Sequence, residues 1–483
     1  MRLAIALLVL PAASTAPLSV SVTAGPARPP LLAGYGGEFV FQTSTDAVLN
    51  AALAAAAPAA TRFPGGTPAD YFDWQTGWLN RPTGPGCGGC DALQPRPTLP
   101  SQLAAFAAAT AQEVVLALNT LTSNLSHQLA GVAAFASAGV PASRYELGNE
   151  LYDATRADVV AAFPTPGDYA ARAAAWTRAL LEARPGAHVG WVGVASARDN
   201  RTRAWNPAVA PLAAASGARA RTLHLYPGRP SAHLSDPAAR PRLLAPIPSL
   251  LRGFREFTDA TIPPPLRLWV TEWGTWGCAG VEGTWLQGLW HAAFALALPA
   301  ALPRAEVLLP YCAVCGDPAM PAFTTAGAGG AVVPPNATVP PGGWLRTPSG
   351  HAYALAFAAL AARGGGGAGL APLAFEPNPA LDPGGAEPGA ALAGLLAEGA
   401  GVAVVANVGA GGVALRWGAL PLGCAPGAGA CASAWWAKGE GDVARQGLRV
   451  EELGHWAGPL AGGEALALPG YGMAVLRCGG GCE

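Results

Sequence analysis

Charge is scarce in this chain. Asp, Glu, Lys and Arg make up 12% of its 483 residues, and the formal net charge is −1. Neither sign is in excess, so neither nucleic acid nor an anionic membrane is expected as a partner. One or two local cations would still be enough to hold an acidic sugar. No uninterrupted apolar run is long enough to cross a bilayer. The run Leu3 to Leu10 is too short. The run Thr284 to Leu302 is broken by Gln287, His291 and Pro299, which fits a buried helix and no transmembrane anchor. Internal repeats are absent beyond an alternation of strand and helix.

What the chain has in plenty is apolar surface. Hydrophobic residues make up 51%, enough for a large core. The length fits a large barrel with an accessory domain rather than one ordinary domain. Residues 1–16 read as a secretory signal: Arg2 carries the charge, Leu3 to Leu10 the apolar core, and Ser14-Thr15-Ala16 the small residues of a cleavage site. Three sequons follow, at Asn124, Asn200 and Asn336. Together these predict a secreted glycoprotein, extracellular or in the lumen of a secretory or lytic compartment. The nine cysteines lie at Cys87/Cys90, Cys278, Cys312/Cys315, Cys424/Cys431 and Cys478/Cys482. The two CxxC pairs offer four thiolates to zinc, but an oxidising compartment favours disulfides.

Short apolar runs recur between alanine-rich stretches of helical length. Gly37–Phe41, Ala60–Phe63, Glu113–Leu118, Ser143–Leu147, His188–Val194, Arg221–Leu225, Leu266–Val270 and Ala305–Leu309 read as strands. Ala47–Ala57, Ser101–Ala109, Ser126–Ala138, Gly167–Ala183 and Thr284–Leu298 read as helices between them, and His351–Ala362 as the last helix. Alternation of this kind predicts an α/β protein, a (β/α)8 TIM barrel over residues 31–362. A glycine-rich join, 363–369, precedes a C-terminal β-sandwich over 370–483, in which Gly401–Val408, Val413–Trp417 and Met473–Arg477 read as strands. Leu18–Thr23, within residues 17–30, alternates in the same way and is expected to join that sandwich.

In such a barrel, chemistry sits at the C-terminal ends of the strands. Glu150 follows the fourth strand, in Tyr145-Glu146-Leu147-Gly148-Asn149-Glu150. Glu272 ends the seventh, in Leu268-Trp269-Val270-Thr271-Glu272. Any two glutamates are ordinarily surface charges; these two meet at one mouth. Two carboxylates across a sugar-sized gap suit glycoside hydrolysis, with a spacing of about 5–5.5 Å for retention and about 6.5–9.5 Å for inversion.

The segment ending in Asn149-Glu150 resembles the acid/base motif of glycoside hydrolase family 79, the heparanases and related β-glucuronidases of clan A. Arg62-Phe63-Pro64-Gly65-Gly66-Thr67 is similar to that family's second-strand motif, His224-Leu225-Tyr226 to its sixth, and the segment ending in Glu272 to its nucleophile strand. The resemblance covers roughly residues 31–360. It implies a retaining O-glycosidase acting on oligo- or polysaccharide, most readily on β-glucuronosyl linkages. Glu150 would be the acid/base and Glu272 the nucleophile. Asn149 would hold the sugar's 2-hydroxyl, Tyr226 would donate to Glu272, and Arg62 would keep Glu272 ionised. Gly65, Gly66 and Thr67 would bring backbone close to the sugar, and Gly277 would serve in the loop that binds a uronate carboxylate. No metal or organic cofactor is implied.

The chain departs from the family where Leu151-Tyr152 replaces the usual proline, and in the loop from Trp273 to Gly280. Neutral sugars stacking on Trp74, Trp78, Trp273 or Trp276 are the other reading of the pocket, as in a β-xylosidase or α-L-arabinofuranosidase. An inactive carbohydrate-binding glycoprotein is the reading from a different class. His224 reads equally as sugar ligand or core histidine. Glu38, within the first expected strand, is a candidate for contact with a sugar hydroxyl. Glu146, Asp70 and Glu282 read as structural or solvated.

Overall fold

The computed structural model describes residues 17–36, 46–80, 97–226, 244, 246–275, 284–313, 323–324, 345–360, 370–378, 392–397, 402–417, 430–438, 452–460 and 465–478. The opening strand β1 (Leu18–Ala24) is followed by a closed barrel of eight parallel strands: β2 (Leu32–Tyr35), β3 (Ala60–Phe63), β4 (Glu113–Leu118), β5 (Arg144–Leu147), β6 (His188–Val192), β7 (Ala220–Leu225), β8 (Arg267–Trp273) and β9 (Ala305–Leu308). Around it lie α1 (Ala47–Ala55), α2 (Pro100–Thr110), α3 (Leu125–Ser137), α4 (Ala157–Ala162), α5 (Pro166–Ala183), α6 (Asn200–Ala215), α7 (Ile247–Thr261), α8 (Trp285–Ala301) and α9 (Pro348–Leu360). The (β/α)8 barrel expected from the alternation is the fold.

One barrel strand lies elsewhere than the sequence suggests. The expected first strand, Gly37–Phe41, falls outside the described residues, and Leu32–Tyr35 takes the barrel position. This segment pairs with Ala60 and Thr61 on one side and with Val307 and Leu308 on the other. Strand composition favoured the run with Phe39 and Phe41, but ladder pairing and burial decide the strand.

Barrel strands alternate their side chains between interior and helix layer. The interior holds an apolar plug of Ala60, Val115, Ala220, Trp269, Val307 and Leu309, all buried. Trp269 is accommodated because Gly190 faces it: a Cβ there would lie 2.6 Å from the Trp269 ring. Above the plug, nearer the C-terminal ends, Arg62, Glu146 and Thr271 form a polar layer with 0% exposure. The mouth of the barrel is built on that layer.

Nine strands form the second unit, in the order β17-β16-β19-β14-β13-β12-β1-β15-β18. After a short antiparallel pair, β10 (Phe323–Thr324) with β11 (Leu345–Arg346), β12 is Leu370–Glu376, β13 Leu392–Ala397, β14 Val402–Asn407, β15 Val413–Trp417, β16 Ala430–Trp436, β17 Gly454–Leu460, β18 Ala465–Leu468 and β19 Gly472–Cys478. Strand β12 turns the corner. Leu370 to Pro372 pair with β13, while Leu373 to Glu376 pair with β1. The two halves close over a shared core that includes Val20, Val22, Leu396, Val405 and Leu415, which makes a β-sandwich. β14 shows why the sequence there is a continuous apolar run. Ala403 and Val405 face the sandwich core, whereas Val404 and Ala406 face the barrel helices.

The apolar run from Thr284 forms α8, wedged between barrel and sandwich, with Trp285 Nε1 donating to Tyr471 O at 2.7 Å. Among the described residues no helix is long and apolar enough to cross a membrane. Cys312, Cys431 and Cys478 are disulfide-bonded.

Gly190→Ala is expected to destabilise the protein by about 1–3 kcal/mol, because the new methyl overpacks the barrel interior. Urea unfolding should show a lower midpoint at an unchanged slope; an unchanged midpoint would contradict the packing described.

Candidate active site

The first carboxylate stands on a strained turn. Beyond β5 the backbone enters positive φ at Gly148 (88°) and again at Glu150 (47°). Gly148 is required there, since a Cβ would lie 2.4 Å from Leu151 and 2.6 Å from Thr120. At Glu150 a side chain pays a conformational cost that only surrounding structure can hold in place. Arg201 on α6 supplies part of that hold by donating to Leu151 O (3.0 Å) and Tyr152 O (3.1 Å). The result lifts the Glu150 carboxylate, 28% exposed, into the barrel mouth. It accepts from Tyr152 Oη at 2.8 Å and lies 2.9 Å from His224 Nδ1.

The second carboxylate owes its direction to a slipped register. Leu223 pairs with Val270, but the next pair is His224 with Glu272, so Thr271 is passed over. A bulge of this kind re-aims a side chain. Thr271 turns into the barrel interior while Glu272 reaches the mouth, 5% exposed. Arg62 Nη1 donates to Glu272 Oε1 at 2.5 Å and Tyr226 Oη to Oε2 at 2.8 Å. His224 Nδ1 is 3.3 Å from the same Oε2.

Arg62 ties these parts together. Its Nε donates to Glu146 at 2.5 Å, its Nη1 to Glu272, and its Nη2 to Asn149 Oδ1 at 2.8 Å. Burial lowers the basicity of the guanidinium, but Glu146 and Glu272 outweigh it and hold the pKa above the ordinary value. Asn149 is fixed from two sides, because its backbone N–H also donates to Asp70 Oδ1 at 3.0 Å. Asp70, fully buried, is paired with Arg156 at 2.7 Å.

The electrostatics of the mouth are set by burial against close partners. Burial pushes the Glu150 carboxyl up, but the bond and charge of His224, with Tyr152, hold it down at about 2. Burial pushes His224 down, yet the charge of Glu272 and the bond to Glu150 raise it above its ordinary value. Burial and the charge of Glu272 raise Tyr226, so it stays a protonated donor. The surroundings thus favour a proton on His224, which lies between Glu150 and Glu272. The nearest donor atoms of Glu150, His224 and Glu272 lie within 4.8 Å of one another, a spacing that would also admit one cation.

Six of the residues singled out by sequence converge here: Glu150, Glu272, Asn149, Tyr226, Arg62 and His224. Gly65 and Gly66 follow β3 at the same end of the barrel, with φ of 69° and 61°, and Thr67 opens a 3-10 turn to Asp70. Gly277, Trp276, Glu38 and Glu282 lie outside the described residues. Trp273 is not a subsite wall: it is fully buried and stacks on Phe294 at 5.0 Å. Trp74 is half-buried and donates to His127 O, while Trp78 is exposed. Asp70, Tyr152 and Arg201 were not singled out as site residues. Only the Asp-Tyr-Phe run beside the Arg62 motif and the missing proline after Glu150 hinted at the first two.

No family model and no curated protein sequence matches the chain. Solved structures do. The chain is similar to a family 51 α-L-arabinofuranosidase from Bifidobacterium longum (TM-score 0.71, 14% identity, covering 96% of this chain and 100% of that one). It is similar to the GH51 arabinofuranosidase of Xanthomonas axonopodis pv. citri (TM-score 0.64, 18% identity, 96% and 100%). A third likeness is to a 4-O-α-L-rhamnosyl-β-D-glucuronidase from Fusarium oxysporum 12S (TM-score 0.59, 15% identity, 95% and 100%). These likenesses establish the barrel-plus-sandwich fold over nearly the whole chain.

Asp70 yields a pH prediction. Burial, opposed by Arg156, raises its pKa from 3.8 to about 6. The folded state thus binds the proton more tightly than the unfolded chain. The stabilisation is present below the unfolded value and is lost as pH rises through about 6. Relative to Asp70→Asn, wild-type stability should fall by up to about 3 kcal/mol between about pH 4 and 6. Urea titrations of both proteins would check this, and a pH-independent difference would contradict it.

Proposed function

We propose that this protein is a retaining clan A glycoside hydrolase, with Glu272 as nucleophile and Glu150 as general acid/base. The observation that carries this reading is the approach of the two carboxylates, whose nearest oxygens lie within 4.8 Å. That approach fits the short carboxyl separation of retaining enzymes, about 5–5.5 Å, better than the about 6.5–9.5 Å of inverting ones.

In the first step Glu272 attacks the anomeric carbon. The bond to the leaving oxygen breaks, and Glu150 supplies that oxygen with a proton. His224, 2.9 Å from Glu150 and 3.3 Å from Glu272, is placed to hold that proton in the free mouth. As Glu272 gives up its charge to the new glycosyl bond, the imidazolium loses its largest support. The proton then passes over the 2.9 Å to Glu150 and on to the leaving group. In the second step Glu150 takes a proton from water, whose oxygen attacks the anomeric carbon and frees Glu272. Asn149 is oriented for the 2-hydroxyl: Arg62 occupies its Oδ1, which directs its amide NH2 elsewhere.

The substrate is the finer question. The likeness to arabinofuranosidases favours an α-L-arabinofuranoside over the β-glucuronoside implied by the family 79 motifs. Arg62 and Arg156 are each already bonded to carboxylates, which takes these two cations away from a uronate. A secreted glycoprotein remains our proposal for location, supported by the leader-like residues 1–16 and by the exposed positions of Asn124 and Asn200.

A panel of chromogenic glycosides with Glu272→Ala as blank tests the function. Wild type should turn over the α-L-arabinofuranoside, and the blank should be slower by several orders of magnitude. The first-formed sugar, followed by proton NMR, should keep its anomeric configuration. Inverted product or full activity in the blank would contradict the mechanism; sugar binding without turnover would favour a binding protein.

A further inference from the structure

Glu146 is a buried carboxylate that the mechanism above does not use. It lies on β5, four residues before Glu150, with 0% exposure. Its Oε2 accepts from Arg62 Nε at 2.5 Å and its Oε1 from Thr271 Oγ1 at 3.1 Å. Arg62 thus stands between two carboxylates, Glu146 below and Glu272 above. A single positive charge is shared by both.

We propose that Glu146 is a positioning residue that sets the reactivity of Glu272 through Arg62. This rests on Glu272 being the nucleophile. The reason is electrostatic. An uncompensated guanidinium bonded to Glu272 in a water-poor interior would hold the carboxylate so tightly that attack on carbon slows. Glu146 takes up part of that charge. It also fixes the guanidinium plane, because Nε is committed to Glu146 before Nη1 and Nη2 reach Glu272 and Asn149. Thr271 in turn limits how much of the guanidinium Glu146 can claim. Among the described residues, the other titratable groups near Glu272 are His224, Tyr226, Glu150 and Tyr152, and Asp70 also feels the charge of Arg62. Tyr169 on α5 is a further ionisable group that the Glu146 charge reaches.

The test is the pH profile of kcat/KM, whose acid limb reports ionisation of the nucleophile. Glu146→Gln keeps the shape and removes the charge. Its acid limb should move to lower pH by about one unit, with kcat lower by about tenfold and KM little changed. Glu146→Asp should return the limb toward wild type. Thr271→Val, which strengthens the claim of Glu146 on Arg62, should move the limb the other way by a fraction of a unit. A wild-type limb in Glu146→Gln, however slow the enzyme, would overturn the proposal and leave Glu146 a packing residue. If Glu146→Gln does not fold, Thr271→Val decides, and a limb that stays or moves down overturns the proposal. The Glu272→Ala protein separates the two levels. If it is inactive while the Glu146 limb is unmoved, only the role of Glu146 falls. If it is fully active, the nucleophile assignment falls and the proposal with it.

Discussion

The buried guanidinium of Arg62 is the contact on which the rest of the mouth depends. It spans Glu146, Glu272 and Asn149 with three different nitrogens, and has no exposure to water. Buried charges are costly unless each is paired and bonded. Here the pairing is complete on the cation, and removing one partner from such a network typically costs about 3–5 kcal/mol. The same bonds that make the network stable also define the site, because two of the three acceptors are residues that would meet the sugar.

Around this centre the barrel supplies direction and the loops supply strain. The slipped register between β7 and β8 lets adjacent residues serve two layers, Thr271 the interior and Glu272 the mouth. The positive φ at Glu150 lifts the other carboxylate toward it. Asp70, Arg156 and Arg201 brace that turn from outside the mouth, so the strained residue is held by ion pairs and carbonyl contacts together with the packing of buried Leu151 and Tyr152. His224 sits between the carboxylates and answers the charge of each.

Much of this was legible in the sequence, and what was not has physical causes. β4 and β15 agree with the sequence reading to the residue, because each is an apolar run bounded by turn-forming or polar residues. Helix α6 went unread because Pro207 and Pro211 look like breakers, yet Asp199 caps the helix and it tolerates both. The motif reading brought Arg62, Tyr226 and Glu272 together, since residues at strand ends of a barrel must share one mouth. It missed Asp70 as a brace of Asn149, a contact across 79 residues that exists only once the barrel has closed. Trp273 is one of four tryptophans that the sequence offers as subsite walls for a neutral sugar. The side chain instead points into the helix layer against Phe294.

The central claim is that Glu272, held by Arg62 and Tyr226, forms a bond to the sugar. Incubation with activated 2-deoxy-2-fluoro glycosides, digestion and peptide mass spectrometry test it directly. The account predicts a single glycosyl adduct on the peptide that carries Glu272, released slowly on transfer to water. An adduct on Glu150 instead, or none with a sugar the enzyme hydrolyses, would contradict it.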